Sequence, residues 1–179
     1  MVLAIENSIT PTLEPHKNDP KKTPALHYFP STDIKSLNNI TNNFVFYIAH
    51  YKSSQNALIA LDRNGENSDL LKEIYDVKTA KEYIKKLGSV DDYLKRSKAI
   101  HMSNTEGIGV HLETHPELDI LWGRDGTNAG LAEKEELKKI LNYALNKNIS
   151  ISIETAYDLK NIPKNKFSEA DSFIEYVLK

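Results

Sequence analysis

Two histidines ten residues apart, His101 and His111, have the flanking residues expected of a β-hairpin that brings them together. Between them, Asn104 and Gly107 have the spacing of a type I turn that closes with a glycine bulge. In the register that such a turn imposes, His101 lies directly opposite His111. Opposed side chains lie about 5 Å apart at Cβ, so we expect the two imidazoles to be able to share a metal ion or a proton.

Further polar side chains fall on the same predicted face of this hairpin. Because side chains alternate along a strand, Ser103 and Glu113 join the two histidines, and the apolar residues point to the other face. A histidine beside a carboxylate can serve as a general base. We therefore predict as catalytic residues His101, His111, Glu113 and Ser103. The competing interpretation is a half-solvated sheet face without chemistry, which is common in antiparallel sheets.

The alternative interpretation is that this face binds a divalent metal ion. Neutral imidazoles with a carboxylate suit zinc or a similar cation that keeps an open position for water. The predicted ligands are His101, His111, Glu113 and His115. The sequence indicates no other cofactor, because it contains neither a P-loop nor the glycine pattern of a dinucleotide-binding turn.

A glycine-rich loop over residues 123–130 follows a short predicted strand and precedes a long predicted helix. That order suits an anion at a helix N-terminus. The predicted ligand-binding residues in the loop are Arg124, Gly126, Thr127 and Asn128. Three glutamates in the first helical turns oppose an added anion, so the sequence favours a plain connector over a phosphate site.

The elements that must position these side chains follow from the apolar pattern. Residues 44–49 and 57–61 are short apolar runs typical of central strands, and residues 149–153 alternate like a strand covered on one face. Ser89 and Asp92 have the spacing of a capping box at the start of a helix. Together with the hairpin, these patterns predict an α+β fold: a mixed, largely antiparallel sheet of five to six strands, with helices packed mainly on one face.

The two longest helical patterns also predict their buried faces by their spacing. For the helix over residues 131–147, the predicted stripe is Leu137, Ile140, Leu141, Ala144 and Leu145. For the last helix, it is Ala170, Phe173, Ile174, Val177 and Leu178.

Length and proline content predict the domain organisation. A chain of 179 residues suits one domain with a proper core. Five of the seven prolines fall within the first thirty residues, which predicts an extended or flexible tail over residues 1–30 and a single α+β domain over residues 31–179.

Charge and cysteine content restrict the partners and the compartment. A formal net charge of −2 gives no general attraction to nucleic acid, so nucleic-acid binding is not expected. No apolar run is long enough to span a bilayer, and the first residues lack the pattern of a signal peptide. The absence of cysteine fits a reducing compartment, which predicts a cytoplasmic protein, with export by a signal-peptide-independent route left open. Twenty lysines against three arginines are typical of an AT-rich bacterial genome.

Two classes of function remain open on these grounds. The first is a soluble bacterial binding or interaction protein, a regulator or an exported effector with a protein partner, because no complete catalytic motif is present. The second is a small hydrolase-like enzyme that uses the histidine and glutamate cluster of the predicted hairpin, with or without a metal. The first is the leading prediction, since one polar face is weak grounds for catalysis.

Overall fold

The computed structural model describes residues 4–6, 43–65, 68–69, 72, 85, 88–103, 132–153 and 166–179. The strands are β1 Ile5–Glu6, β2 Phe44–Tyr47, β3 Ser97–Met102 and β4 Ser150–Ile153. The helices are α1 Ile48–Arg63, α2 Val90–Leu94, α3 Lys134–Lys147 and α4 Lys166–Leu178.

The strands form one sheet in the order β1-β2-β3-β4, and every pair in it is parallel. The predicted α+β fold with a mixed, largely antiparallel sheet of five to six strands is therefore wrong: over the ranges given above, the sheet has four strands and no antiparallel pair. Strands alternate with helices along the chain, which is the arrangement of an α/β fold, because parallel neighbours need a long crossover between them.

Helix α1 explains most of this error. The predicted strand over residues 57–61 belongs to α1, and no turn separates it from β2. The buried side chains of α1 include Ser53 and Ser54, which continue at helical spacing the stripe formed by Ala57, Leu58 and Leu61. Serine favours turns in general, so these two residues do not indicate a buried helical face in the sequence. Tertiary packing buries them.

The apolar cluster that the described residues form lies on one face of the sheet. It receives alternate residues of β2 and β3, namely Phe44, Phe46, Ile100 and Met102, and it extends to Ile151 and Ile153 of β4. Helices α3 and α4 cover this face with Leu137, Ile140, Leu141, Ala144, Phe173 and Val177. An aromatic cluster of Phe44, Phe46, Tyr51 and Tyr93 joins α1 and α2 to it, with ring centroids 5.1 to 5.8 Å apart.

The predicted helix faces are largely confirmed. In α3, Leu137, Ile140, Leu141 and Ala144 are buried, but Leu145 is 64% exposed, so its assignment to the stripe is wrong. In α4, Phe173 and Val177 are buried and Ala170 and Ile174 are half-buried, whereas Leu178 is 49% exposed. Both errors concern a residue near the C-terminal end of its helix, where the predicted apolar stripe extends past the residues that pack against the core.

The predicted capping box at the start of α2 is confirmed. The Ser89 hydroxyl accepts a hydrogen bond from the Asp92 backbone N–H, and the Asp92 carboxylate accepts one from the Ser89 N–H at 2.9 Å. The Ser89 hydroxyl also donates to the Asp92 carboxylate at 2.8 Å. The hydrogen bonds that the carboxylate accepts, from the Ser89 backbone N–H and then from the hydroxyl, hold the pKa of Asp92 below its ordinary value. The cap fixes the start of α2, the short helix that precedes β3.

Part of the predicted tail lies in the sheet. Ile5 and Glu6 pair in parallel with Phe44 and Val45. Apart from residues 4–6, the first thirty residues lie outside the described ranges, so the division into a tail and a domain stays a prediction.

Candidate functional site

Of the residues predicted to carry chemistry, the structure describes His101 and Ser103. The other predicted site residues lie outside the described part of the chain: His111, Glu113, His115, Arg124, Gly126, Thr127 and Asn128. Their roles as catalytic, metal-binding or ligand-binding residues stay predictions.

The sheet register assigns His101 neighbours other than the predicted ones. Strand β3 pairs with β2 on one side and with β4 on the other, so both of its edges are occupied from Ala99 to His101. The residues beside His101 are Tyr47 and Ser152. A hairpin that pairs His101 directly with His111 in this sheet is therefore wrong, although the position of His111 is not described.

Tyr47, His101 and Ser152 form a row across three strands, near the carboxyl ends of those strands. Because neighbouring parallel strands lie about 4.8 Å apart, residues in register on one face contact each other. The row lies on the face opposite the core, as the alternation with the buried Phe46, Ile100 and half-buried Ile151 requires. Tyr47 is buried, His101 is half-buried and Ser152 is exposed, so the row opens towards β4.

A second histidine joins this row from α1. Strand β2 passes directly into α1, with Tyr47 as the N-cap residue and His50 in the first helical turn. The ring of Tyr47 lies 3.8 Å from that of His50 and 5.6 Å from that of His101, measured between centroids. The first turn of α1 carries no acidic residue and no capping side chain. The strand-to-helix junction therefore gathers two imidazoles around one phenol ring.

Ser103 closes the group on the carboxyl side of β3. Its hydroxyl lies 3.5 Å from that of Tyr47, and the side chain is buried. Ile100 and Met102 point into the core while His101 does not, which confirms the predicted alternation of residues 100–102.

The group of Tyr47, His50, His101 and Ser103 can both donate and accept hydrogen bonds. A neutral imidazole presents one donor and one acceptor, a protonated one presents two donors, and the hydroxyls do either. The part of the chain that is described contains no cluster of three histidine, acidic or cysteine side chains that could hold a metal ion.

No protein-family model, curated protein or solved structure matches this chain. The functional assignment therefore depends on the geometry of the chain itself. Among the described helices, none is both long and apolar enough to cross a membrane.

A shallow depression of about 410 Å³ between α1, α2 and α3 offers a second polar surface. Its polar groups already bind one another. The Tyr51 hydroxyl donates to the Gly88 carbonyl at 2.9 Å, and Lys139 pairs with Asp91 at 2.8 Å between Nζ and Oδ1. At its edge, Glu136 pairs with Lys52. These contacts cross-link three helices, so this surface is explained by its structural role.

Sequence reasoning missed Tyr47 and His50. The signal was present, because His50 follows the apolar run of residues 44–49, of which residues 44–47 form the central strand β2 and residues 48–49 begin α1. In a parallel sheet, the residues just beyond a strand's carboxyl end are the first to examine for binding. With an antiparallel sheet predicted, that rule did not apply.

Proposed function

We propose that this protein is a binding protein with a site for a small polar ligand at the carboxyl ends of β2, β3 and β4. The ligand would contact His50 and His101, and the buried Tyr47 would position both imidazole rings, with Ser103 beside its hydroxyl. The observation that carries the proposal is that both imidazoles contact the ring of Tyr47 at this edge of the sheet.

Topology supports this location. In open parallel α/β sheets, ligands bind beyond the carboxyl ends of the strands, where loops and helix starts leave a crevice. His101 occupies this edge in β3, and His50 starts the helix that leaves the same edge from β2.

The side-chain chemistry supports a ligand that carries hydroxyl, carboxylate or phosphate oxygens. Imidazole N–H groups donate to such oxygens, and they do so more strongly when the ring is protonated. The uncapped first turn of α1 adds backbone N–H groups and the positive end of the helix dipole, which also favour oxygen atoms of negative charge. A cationic ligand has no carboxylate to pair with among these four residues.

The test is a titration of the isotope-labelled protein with a panel of small sugars, sugar phosphates and carboxylic acids, followed through the imidazole NMR signals. His50→Gln and His101→Gln assign the two signals. We expect one class of compound to shift both imidazole signals together, and the shifts to saturate as the compound is added. His101→Gln should weaken that binding at least about tenfold, which is the loss of roughly 1.4 kcal/mol.

Ser150→Ala is the matched control, because Ser150 lies on the same face of β4 but beside Ala99, away from the carboxyl edge. It should leave the affinity unchanged. If no compound in the panel moves the imidazole signals, or if Ser150→Ala weakens binding as much as His101→Gln does, the proposed site is wrong.

The finer parts of the functional prediction are also proposals. We propose a reducing, cytoplasmic compartment on the cysteine-free composition, and a bacterial source on the twenty lysines against three arginines. A protein partner remains the proposed second ligand. The hydrolase alternative would require His111 and Glu113 to approach His101 without the predicted strand pairing. It would show as turnover of a bound compound, measured in the same NMR titration as the appearance of a product.

A further inference from the structure

The only Asn-Gly dipeptide in the sequence, Asn64-Gly65, directly follows the last residue of α1. Asn64 is the C-cap residue of α1, with φ 50° and ψ 42° in the left-handed region, and both residues are exposed. Glycine has no side chain to hinder its backbone nitrogen, so an asparagine that precedes glycine is open to attack by that nitrogen.

We propose that Asn64 is a site of spontaneous covalent modification, converted to aspartate and isoaspartate through a cyclic imide. The backbone nitrogen of Gly65 loses its proton and bonds to the side-chain amide carbon of Asn64. The amide nitrogen leaves as ammonia, taking up that proton. Water then opens the ring at either carbonyl, and the two openings give the normal and the iso linkage.

The folded helix end controls how fast this reaction proceeds. The attacking N–H of Gly65 donates a hydrogen bond to the Ala60 carbonyl at 2.8 Å. The nitrogen can attack only when this bond opens, so the modification proceeds from chains in which the last turn of α1 has frayed.

A second helix end supplies an internal comparison. Asn148 is the C-cap residue of α3 and is also exposed, with φ 54° and ψ 44°, nearly the same backbone conformation. The N–H that follows it, on Ile149, is likewise bound to a carbonyl, that of Ala144, at 2.9 Å. The two sites differ in the residue that follows the asparagine: the branched side chain of Ile149 shields its backbone nitrogen.

Modification at Asn64 changes the end of α1 in two ways. It adds a carboxylate at the C-terminus of the helix, where the negative end of the helix dipole disfavours it. The iso linkage also lengthens the main chain by one methylene group, which breaks the geometry of the Gly65 to Ala60 hydrogen bond. The helix should fray from this end, at the opposite end from Tyr47 and His50.

The experiment is to age the full-length protein at physiological temperature and mildly alkaline pH, and to digest samples with a lysine-specific protease. Peptide mass spectrometry locates the gain of about 1 Da, and methylation by an isoaspartyl methyltransferase measures the iso form. We expect Asn64 to be modified progressively and Asn148 to remain intact over the same period. The urea-unfolded chain should react about fivefold faster at Asn64, which corresponds to about 1 kcal/mol for the hydrogen bond.

Gly65→Ala tests the role of glycine directly. The φ angle of Gly65 lies outside the left-handed region, and an added Cβ would lie 3.4 Å from the Ala60 Cα, so alanine fits with small adjustment. This variant should react several-fold more slowly at Asn64, both folded and in urea. Equal rates at Asn64 and Asn148 in the wild type, or an undiminished rate in unfolded Gly65→Ala, would overturn the proposal without requiring any variant to fold.

Discussion

The imidazole of His101 meets the ring of Tyr47 edge-on, with centroids 5.6 Å apart and ring planes 73° from parallel. The register of two parallel strands creates this contact, since Tyr47 and His101 are directly paired between β2 and β3. The sequence separates the two residues by more than fifty positions, and nothing in their local pattern links them.

Two substitutions of Tyr47 separate the contribution of its ring to the free energy of unfolding from that of its hydroxyl. Tyr47→Phe keeps the buried ring and removes the hydroxyl, which lies 3.5 Å from that of Ser103, so it should lower the free energy of unfolding by about 1 kcal/mol. Tyr47→Ala removes a buried ring and should cost about 3 to 5 kcal/mol. Urea unfolding measures both. Equal losses in the two variants would mean that the hydroxyl, and not the ring, holds this junction together.

Tyr51 should make the protein less stable at alkaline pH. Burial, reinforced by the carboxylates of Glu136 and Asp92, raises the pKa of Tyr51 to about 12 in the folded chain. The unfolded tyrosine ionises near its ordinary value of 10.0, so between these values the unfolded state loses the proton first. The contribution of protonated Tyr51 to stability is complete below pH 10. As the pH rises towards 12 this contribution is lost, and the free energy of unfolding falls by up to about 1.4 kcal/mol per pH unit.

Tyr51→Phe removes this dependence and is compared with the wild type at several alkaline pH values. The variant also loses the hydrogen bond to the Gly88 carbonyl, which should cost about 1 to 2 kcal/mol at neutral pH. The difference in the free energy of unfolding between the wild type and Tyr51→Phe should therefore become smaller as the pH rises above 10. A difference that stays constant would show that Tyr51 ionises normally in the folded state.

Two ion pairs on α3 should differ in strength because they differ in burial. Lys52 and Glu136 are 13% and 24% exposed, with 2.5 Å between Nζ and Oε2, whereas Lys139 and Asp91 are 57% and 51% exposed. Double-mutant cycles with Lys52→Met and Glu136→Gln should give a coupling of about 2 kcal/mol, between the usual values for surface and buried pairs. The Lys139–Asp91 cycle should give less than about 1 kcal/mol. Similar couplings for both pairs would contradict the expected effect of burial.

The two leucines of α3 provide a test of the fold itself. Leu137 is fully buried against the sheet, and Leu145 is 64% exposed. Leu137→Ala should lower the free energy of unfolding by about 2 to 5 kcal/mol, and Leu145→Ala by no more than about 0.5 kcal/mol. Thermal or urea unfolding of the two variants measures the difference. A large loss at Leu145 would indicate that the helix presents another face to the core.

The capping box of α2 should contribute stability that disappears in acid. The backbone and hydroxyl hydrogen bonds from Ser89 lower the pKa of Asp92 in the folded chain, so this contribution is present above the ordinary pKa and is lost as the pH falls below about 4. Ser89→Ala should cost about 1 kcal/mol at neutral pH. The difference in the free energy of unfolding between Ser89→Ala and the wild type should become smaller in acid. A difference independent of pH would argue that the carboxylate does not contribute.

Local features of this chain follow from its sequence because they depend on neighbouring residues. The capping box joins Ser89 to Asp92 within one turn, the stripe of α3 is set by helical spacing, and the alternation of Ile100, His101 and Met102 is a property of any strand. Strand β2 was likewise evident from its unbroken apolar run. The same alternation predicts that His101 and Ser103 lie on one face of the chain.

Tertiary structure decided the direction in which the strands run and, with it, which residues surround His101. Both an antiparallel and a parallel sheet are compatible with the same alternating strands, and the choice depends on what connects them. Packing buries Ser53 and Ser54 and so makes residues 48–63 one helix. That helix forms part of the long connection from β2 to β3 that a parallel pair requires, and their register sets Tyr47 beside His101. The contact is between residues far apart in the chain, so only the folded arrangement of the whole sheet determines it.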